Sequence, residues 1–390
     1  MFREDFVWGV ASSAYQVEGT DAADGRGACV WDMFAADGRV FEHQNADTSC
    51  DHMHHYKEDI ALMRHLGIHA YRFSLNWARI LPEGTGRVNE KAIAMYRDMI
   101  LTMKENGITP YLTLFHWEFP QALYERGGWQ NPDVVQWFGE YAKVVAENFS
   151  DICEYFITIN EPQCVVGLGH LSGVHAPGVK LPVAQTFLVA HHLLMAHGQA
   201  VINLRRYAVR PVKIGFAPTG GVAYPYTDRP EDIEAAKKVY FGFYNPIDNW
   251  TWNVSWFSDP VFLGHYPEEG LKKFAPYLPE ITQEDMELIY QPLDFMGQNI
   301  YNGYYVRAGA DGEPEFVDRA PGFPKTGSDW PVTPEAFYYG IKFLTERYPL
   351  PLYITENGMS CHDLVSSDGR VHDPNLSLIH ISEPTRLRCI

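Results

Sequence analysis

Two short stretches of this chain end an apolar, β-branched run in a glutamate: Ile157-Thr158-Ile159-Asn160-Glu161-Pro162 and Leu352-Tyr353-Ile354-Thr355-Glu356-Asn357-Gly358. The runs read as buried parallel strands. The Pro and the Gly stop them, so each stretch delivers one carboxylate to the carboxyl end of a strand. In a (β/α)8 barrel that end carries the chemistry. Two carboxylates facing each other across such a mouth suit cleavage of a glycosidic bond, one giving a proton and the other attacking the anomeric carbon. A retaining reaction of this kind predicts carboxyl groups roughly 5–5.5 Å apart, whereas a separation of roughly 9 Å would mean inversion.

The paired motifs resemble the acid/base and nucleophile motifs of glycoside hydrolase family 1, the β-glucosidase family, and the likeness runs from about Phe6 to Gly358. The resemblance implies a TIM (β/α)8 barrel, Glu161 as proton donor and Glu356 as nucleophile, with no cofactor. It assigns further roles residue by residue. Gln16, in the Phe6-to-Gly19 signature, would bond hydroxyls of the non-reducing sugar. His116 would bind a sugar hydroxyl, Trp117 would wall the pocket, and Trp330 would be a platform for the aglycone. Arg72 would sit beside Glu356. Asn299 and Tyr301 are the outer members of a family Asn-Tyr-Tyr whose middle residue is here Ile300, and Glu118-Phe119-Pro120 stands where the family has Asp-Leu-Pro.

The chemistry agrees with these roles. Arg72 lies inside the apolar run Ala70–Leu75, and a buried arginine demands a carboxylate, because an unpaired buried charge is very costly. Beside Glu356 it would keep that carboxyl ionised, and a hydrogen bond from Tyr301 would favour the same form. Asn160 would bond the sugar 2-hydroxyl, an interaction that strengthens in the transition state. Glu161 must be protonated when the leaving oxygen departs, and burial together with a nearby negative Glu356 raises its pKa.

The elements that must position these residues alternate as strand and helix. A first strand that dissolves into small residues is predicted over Phe6–Gly19, a second strand with its exit over Ala70–Ile80, and further strands at Thr109–Phe115, Tyr155–Asn160, Lys213–Ala217, Leu293–Tyr301 and Leu352–Glu356. Helices are predicted at Tyr56–Leu66, Asn89–Asn106, Val134–Phe149, Phe187–Tyr207 and Pro334–Tyr348, and Val30–Phe34 reads as loop. His52, His54 and His55 cluster near a helix entry, but their spacing is poor for a metal site, and no metal is expected.

Composition bounds the function from outside. The net charge of -18 argues against nucleic acid or an anionic membrane as partner; the partner that the resemblance implies is a small β-glycoside or oligosaccharide. The oligomeric state is not readable. Aromatic content is 14%, consistent with a sugar-binding cleft and equally with a large core. No apolar run is long enough to span a bilayer, Met1–Asp5 leads straight into the first strand, and the six cysteines are scattered with no CxxC pair. Together these point to a reducing cytoplasm.

One catalytic domain over residues 1–375 is expected, and it is incomplete. After Gly358 too little chain remains for an eighth strand and helix, and the family's Trp and Glu-Trp clamps are not present. Residues 376–390, Leu376-Ser377-Leu378-Ile379-His380-Ile381-Ser382-Glu383-Pro384-Thr385-Arg386 and onward, read as a non-native tail translated from a sequencing-library adapter. A barrel missing one stave leaves unpaired strand edges, which predicts weak folding and low turnover for a chain ending so. The expected function of the intact gene product is a retaining β-glucosidase. A 6-phospho-β-glycosidase of the same family and a catalytically dead, glycan-binding barrel are the alternatives.

Overall fold

Seven parallel strands form a single curved sheet in the computed structural model, which describes residues 5–20, 24–361 and 363–372. They are β1 (Gly9–Ala11), β2 (Ala70–Ser74), β3 (Thr109–Phe115), β4 (Tyr155–Asn160), β5 (Lys213–Ala217), β6 (Phe295–Asn299) and β7 (Leu352–Glu356). Each pairs with its neighbour in chain order. The order follows from strand-helix alternation, since a parallel strand needs a crossover and the crossover helix covers the outer face. Strands β2 and β4 are buried almost throughout, which is why they read as continuous apolar runs rather than alternating ones.

The sheet closes into a nearly complete TIM barrel. Among the described residues β1 pairs only with β2 and β7 only with β6. The β1 edge is open, with Trp8 50% and Val10 38% exposed. The expected tail at 376–390 lies outside the described residues.

Packed side chains fill the barrel's interior in layers. At its amino-terminal end Tyr111 stacks on Tyr155 at 4.3 Å and Phe295 on Tyr353 at 4.8 Å, forming an aromatic plug. Above it the layer must be small. A Cβ on Gly297 would come within 2.9 Å of Thr355 Cγ2 and 3.1 Å of the Ala217 Cβ. This thin layer leaves room for the polar residues at the mouth. The main hydrophobic core lies between the sheet and its helices, of which Val134–Phe149 and Val183–Tyr207 flank the β3–β5 face. His197 on the second helix meets Thr158 of β4 at 2.7 Å, satisfying an outward-facing hydroxyl.

Several elements differ from the sequence reading. Val30–Ala36 is a helix rather than a loop. It is fixed by Asp32, whose carboxylate accepts from the Cys29 backbone at 2.7 Å, a reciprocal cap that stabilises a first turn. The helix predicted over Tyr56–Leu66 begins earlier, at His52, and ends at His65. Of the Phe6–Gly19 signature only Gly9–Ala11 is strand, and Gln16 stands on the helical turn Ala14–Val17. A second small sheet, Val222–Pro225, Gly303–Ala308 and Pro314–Val317, lies above the barrel mouth on the β5–β6 side.

Candidate active site

Glu161 and Glu356 both end at the carboxyl-terminal mouth, one leaving β4 and the other closing β7. The chain turns sharply at Glu161, whose φ of 44° and ψ of 67° are left-handed. Such a conformation costs a non-glycine residue about 1–2 kcal/mol and persists only where surroundings impose it. Here the Glu161 N–H donates to the Ala217 carbonyl of β5 at 2.8 Å, and its own carbonyl accepts from Cys164 N–H at 3.0 Å. Pro162 occupies the first position of the short helix that follows, where its fixed φ suits the turn. Trp117, just past β3, is left-handed too, with φ 86°.

One hydrogen-bonded chain connects the two carboxylates. Arg72, on β2, donates from Nη1 to Glu356 Oε1. Its Nη2 donates to Asn160 Oδ1 at 2.6 Å, and its Nε to Thr113 Oγ1 at 3.0 Å. Asn299 donates from Nδ2 to Asn160 Oδ1 at 3.0 Å and to Glu161 Oε1 at 2.8 Å. Asn299 is in turn oriented by Thr355, whose hydroxyl donates to Asn299 Oδ1 at 2.6 Å. On the far side Tyr301 OH donates to Glu356 Oε2 at 2.6 Å. His116 Nε2 lies 3.2 Å from the Asn160 amide nitrogen, and Trp117 Nε1 donates to the Asn160 carbonyl at 3.1 Å.

The same frame separates the two acids electrostatically. Burial pushes the Glu161 pKa up to about 7, and the negative charge of Glu356 adds to it; the Asn299 and Cys164 hydrogen bonds and the Arg72 charge act in the opposite sense. Burial also opposes ionisation of Glu356, but Arg72 and the Tyr301 hydrogen bond outweigh it and hold that carboxyl below its ordinary value. Buried His116 is pushed down to about 4 by desolvation, so it is neutral near pH 7. Below about pH 7 one acid thus keeps its proton while its partner is ionised, the division of labour that glycoside cleavage by two carboxylates requires.

Around this centre the predicted binding residues split into two groups. Gln16, His116 and Trp117 line one cavity of about 390 Å³, with Gln16 exposed to it. Trp330 lies elsewhere on the rim, edge-on to Tyr301 at 5.4 Å and 46% exposed. The sequence reading did not single out the aromatic wall beside Trp117: Trp31 stacks on Trp117 at 6.5 Å, and His175 packs 5.4 Å from Trp31 and 5.5 Å from Trp117. Thr113, Thr355 and Cys164 are further contributors that it passed over. Thr113 and Thr355 sit two positions before His-side and one position before Glu-side strand ends, and inward alternation along β3 and β7 was the available signal. Among the described residues no group of three or more His, Cys, Asp or Glu is arranged to hold a metal ion, and no helix is long and apolar enough to cross a membrane.

Comparison with known proteins agrees with this geometry. Residues 1–377 match the family described as Glycosyl hydrolase family 1. Beta-glucosidase A of Thermotoga maritima is 43% identical over 378 residues, covering 96% of this chain and 82% of that protein. Beta-glucosidase A of Acetivibrio thermocellus is 38% identical, covering 95% of this chain and 82% of its own length. The structure of the beta-glucosidase from Thermotoga maritima in complex with glucoimidazole superposes with a TM-score of 0.84 at 42% identity, over 96% of this chain and 82% of that one. A second structure of that enzyme, in complex with deoxynojirimycin, matches equally well. With its matched span, its barrel and the two carboxylates at its mouth, the chain belongs to glycosyl hydrolase family 1.

Proposed function

We propose that this protein is a retaining β-glucosidase in which Glu356 is the nucleophile and Glu161 the acid/base. The observation that carries the assignment is the opposite electrostatic environment of the two carboxyls. Glu356 is ion-paired to Arg72 and hydrogen-bonded by Tyr301, whereas buried Glu161 faces that negative charge. Glu356 attacks the anomeric carbon while the Glu161 proton passes to the glycosidic oxygen, and the aglycone leaves. The bond from the anomeric carbon to Glu356 neutralises the Glu356 charge. Glu161, now ionised, takes a proton from water as that water attacks the anomeric carbon, and Glu356 departs as carboxylate.

The remaining roles follow from position. Asn160 is held by Arg72, Asn299 and Trp117, so its amide is fixed before substrate arrives and can meet the 2-hydroxyl without reorganisation. Gln16, His116 and Trp117 bind the non-reducing sugar from one cavity, and Trp330 stacks on the aglycone from the other side of Tyr301. Arg72 and Tyr301 keep the nucleophile ionised, and Asn299 fixes the proton donor. The names of the two similar proteins given above, both Beta-glucosidase A, favour glucosides as substrates. The reading also places the protein in the cytoplasm, in keeping with free Cys29, Cys50, Cys153 and Cys164. It keeps residues 1–375 as the catalytic domain, with 376–390 as a non-native tail.

The stereochemistry of the first product tests the mechanism. Proton NMR of β-glucoside hydrolysis should show β-glucose first, with the α-anomer growing in only by mutarotation. The α-anomer as first product would overturn the assignment of Glu356 as nucleophile.

A further inference from the structure

Glu161 has a second polar neighbour that the reaction scheme does not use. Cys164 follows it by one helical turn, and its Sγ lies 3.2 Å from Glu161 Oε2. The residue is buried, and its backbone N–H is tied to the Glu161 carbonyl, so the thiol cannot drift from the carboxyl. On its other side Cys164 borders a small apolar cavity lined by Phe115, Trp117, Trp129 and His175. Burial first, and then the adjacent Glu161 charge, keeps the thiol far from ionising. Sulfur therefore brings Glu161 a hydrogen rather than a competing negative charge.

The two oxygens of Glu161 are held by donors of unequal strength. Oε1 accepts from the Asn299 amide at 2.8 Å, and Oε2 from the thiol at 3.2 Å. A thiol is a weak donor, so Oε2 is the oxygen that can exchange its partner for the glycosidic oxygen of the substrate. We propose that Cys164 is a positioning residue for the proton donor: its S–H is given to Glu161 Oε2 when that carboxyl is ionised, which orients Oε2 toward the mouth and favours the general-base form used on water. This rests on the assignment of Glu161 as the acid/base.

Substituting the sulfur separates this role from packing. Cys164→Val keeps apolar bulk and removes the donor, while Cys164→Ser keeps a donor. The Glu161 titration midpoint is read by 13C NMR of glutamate-labelled protein, its resonance identified by its loss in Glu161→Gln. In Cys164→Val the midpoint should rise by about half a pH unit, because a donor to the charged form has been removed. The alkaline limb of kcat/KM should follow it, giving about threefold more activity on that limb than wild type. Cys164→Ser should restore the wild-type midpoint or lower it. Wild-type midpoints in both variants, or equal shifts in both, would overturn the proposal. If instead the alkaline limb persisted in Glu161→Gln, the acid/base assignment itself would fail, and the NMR midpoints would still report on the thiol.

Discussion

Asn299 of β6 donates to Glu161 Oε1 at 2.8 Å, binding the carboxyl at the end of β4 to a strand two places away. The same amide holds Asn160, so one side chain sets the orientation of two residues of the site. Asn299 supports the charged form of Glu161. Its replacement by Ala should therefore raise the Glu161 pKa and move the alkaline limb of kcat/KM to higher pH, while kcat/KM at its optimum falls by roughly 100-fold from lost orientation. A pH series on purified Asn299→Ala checks both, and a limb that moved to lower pH would contradict the hydrogen-bond assignment.

Arg72 is buried and has three side-chain partners, Glu356, Asn160 and Thr113. Arg72→Met should lower kcat by at least roughly 100-fold. It should also raise the Glu356 pKa, so that the acid limb moves to higher pH. Breaking a buried pair by removing one member costs about 3 kcal/mol, which thermal unfolding followed by circular dichroism would register as a lower Tm.

The wild-type pH profile should be bell-shaped. Activity should appear as Glu356 ionises, below the ordinary carboxylate range, and fall as pH rises through about 7, where Glu161 loses its proton. Glu161→Gln should abolish the alkaline limb. Its kcat/KM should fall by several orders of magnitude for alkyl glucosides, whose leaving oxygen needs a proton, and far less for dinitrophenyl glucosides, whose leaving group does not. Comparing the two substrates in one variant checks this.

Glu118 is buried beside the Phe6–Gly19 signature, with Oε1 accepting the Tyr15 N–H at 2.8 Å and Oε2 lacking a hydrogen-bond partner among the described residues. Burial pushes its pKa up to about 8. Because the folded state holds this proton longer than the unfolded chain, the native state binds more protons between about pH 4.5 and 8, and stability falls as pH rises through that window. Glu118→Gln mimics the protonated acid without titrating. It should match wild type near pH 4 and exceed it by at least about 1 kcal/mol at pH 9, as measured by urea unfolding at the two pH values.

Much of this architecture was legible because Thr109–Phe115, Tyr155–Asn160 and Lys213–Ala217 are largely buried on both faces. These three, and the only partly buried edge strand Leu352–Glu356, occur where their apolar runs and stops placed them. Arg72 announced its partner by being a charge inside such a run, and the partner is Glu356. What could not be read depends on contacts between distant segments. The contact between Tyr15 and Glu118 spans 103 residues, and the Trp31–Trp117–His175 wall joins one helix and two loops with no shared pattern. The small sheet above the mouth has one four-residue buried strand and two short, half-exposed ones, all too brief for their pattern to register. Gln16 was placed near the mouth, but the helical turn that carries it was hidden among small residues.

The most direct test of the nucleophile is covalent capture. A 2-deoxy-2-fluoro-β-glucoside with a good leaving group slows release of the glycosyl-enzyme more than its formation, and the intact mass of the treated protein reports the adduct. The account predicts a single fluoroglucosyl addition, mapped by peptide mass spectrometry to the Leu352–Gly358 segment and carried on Glu356, with none in Glu356→Ala. An adduct on Glu161, or on another carboxylate, would contradict it.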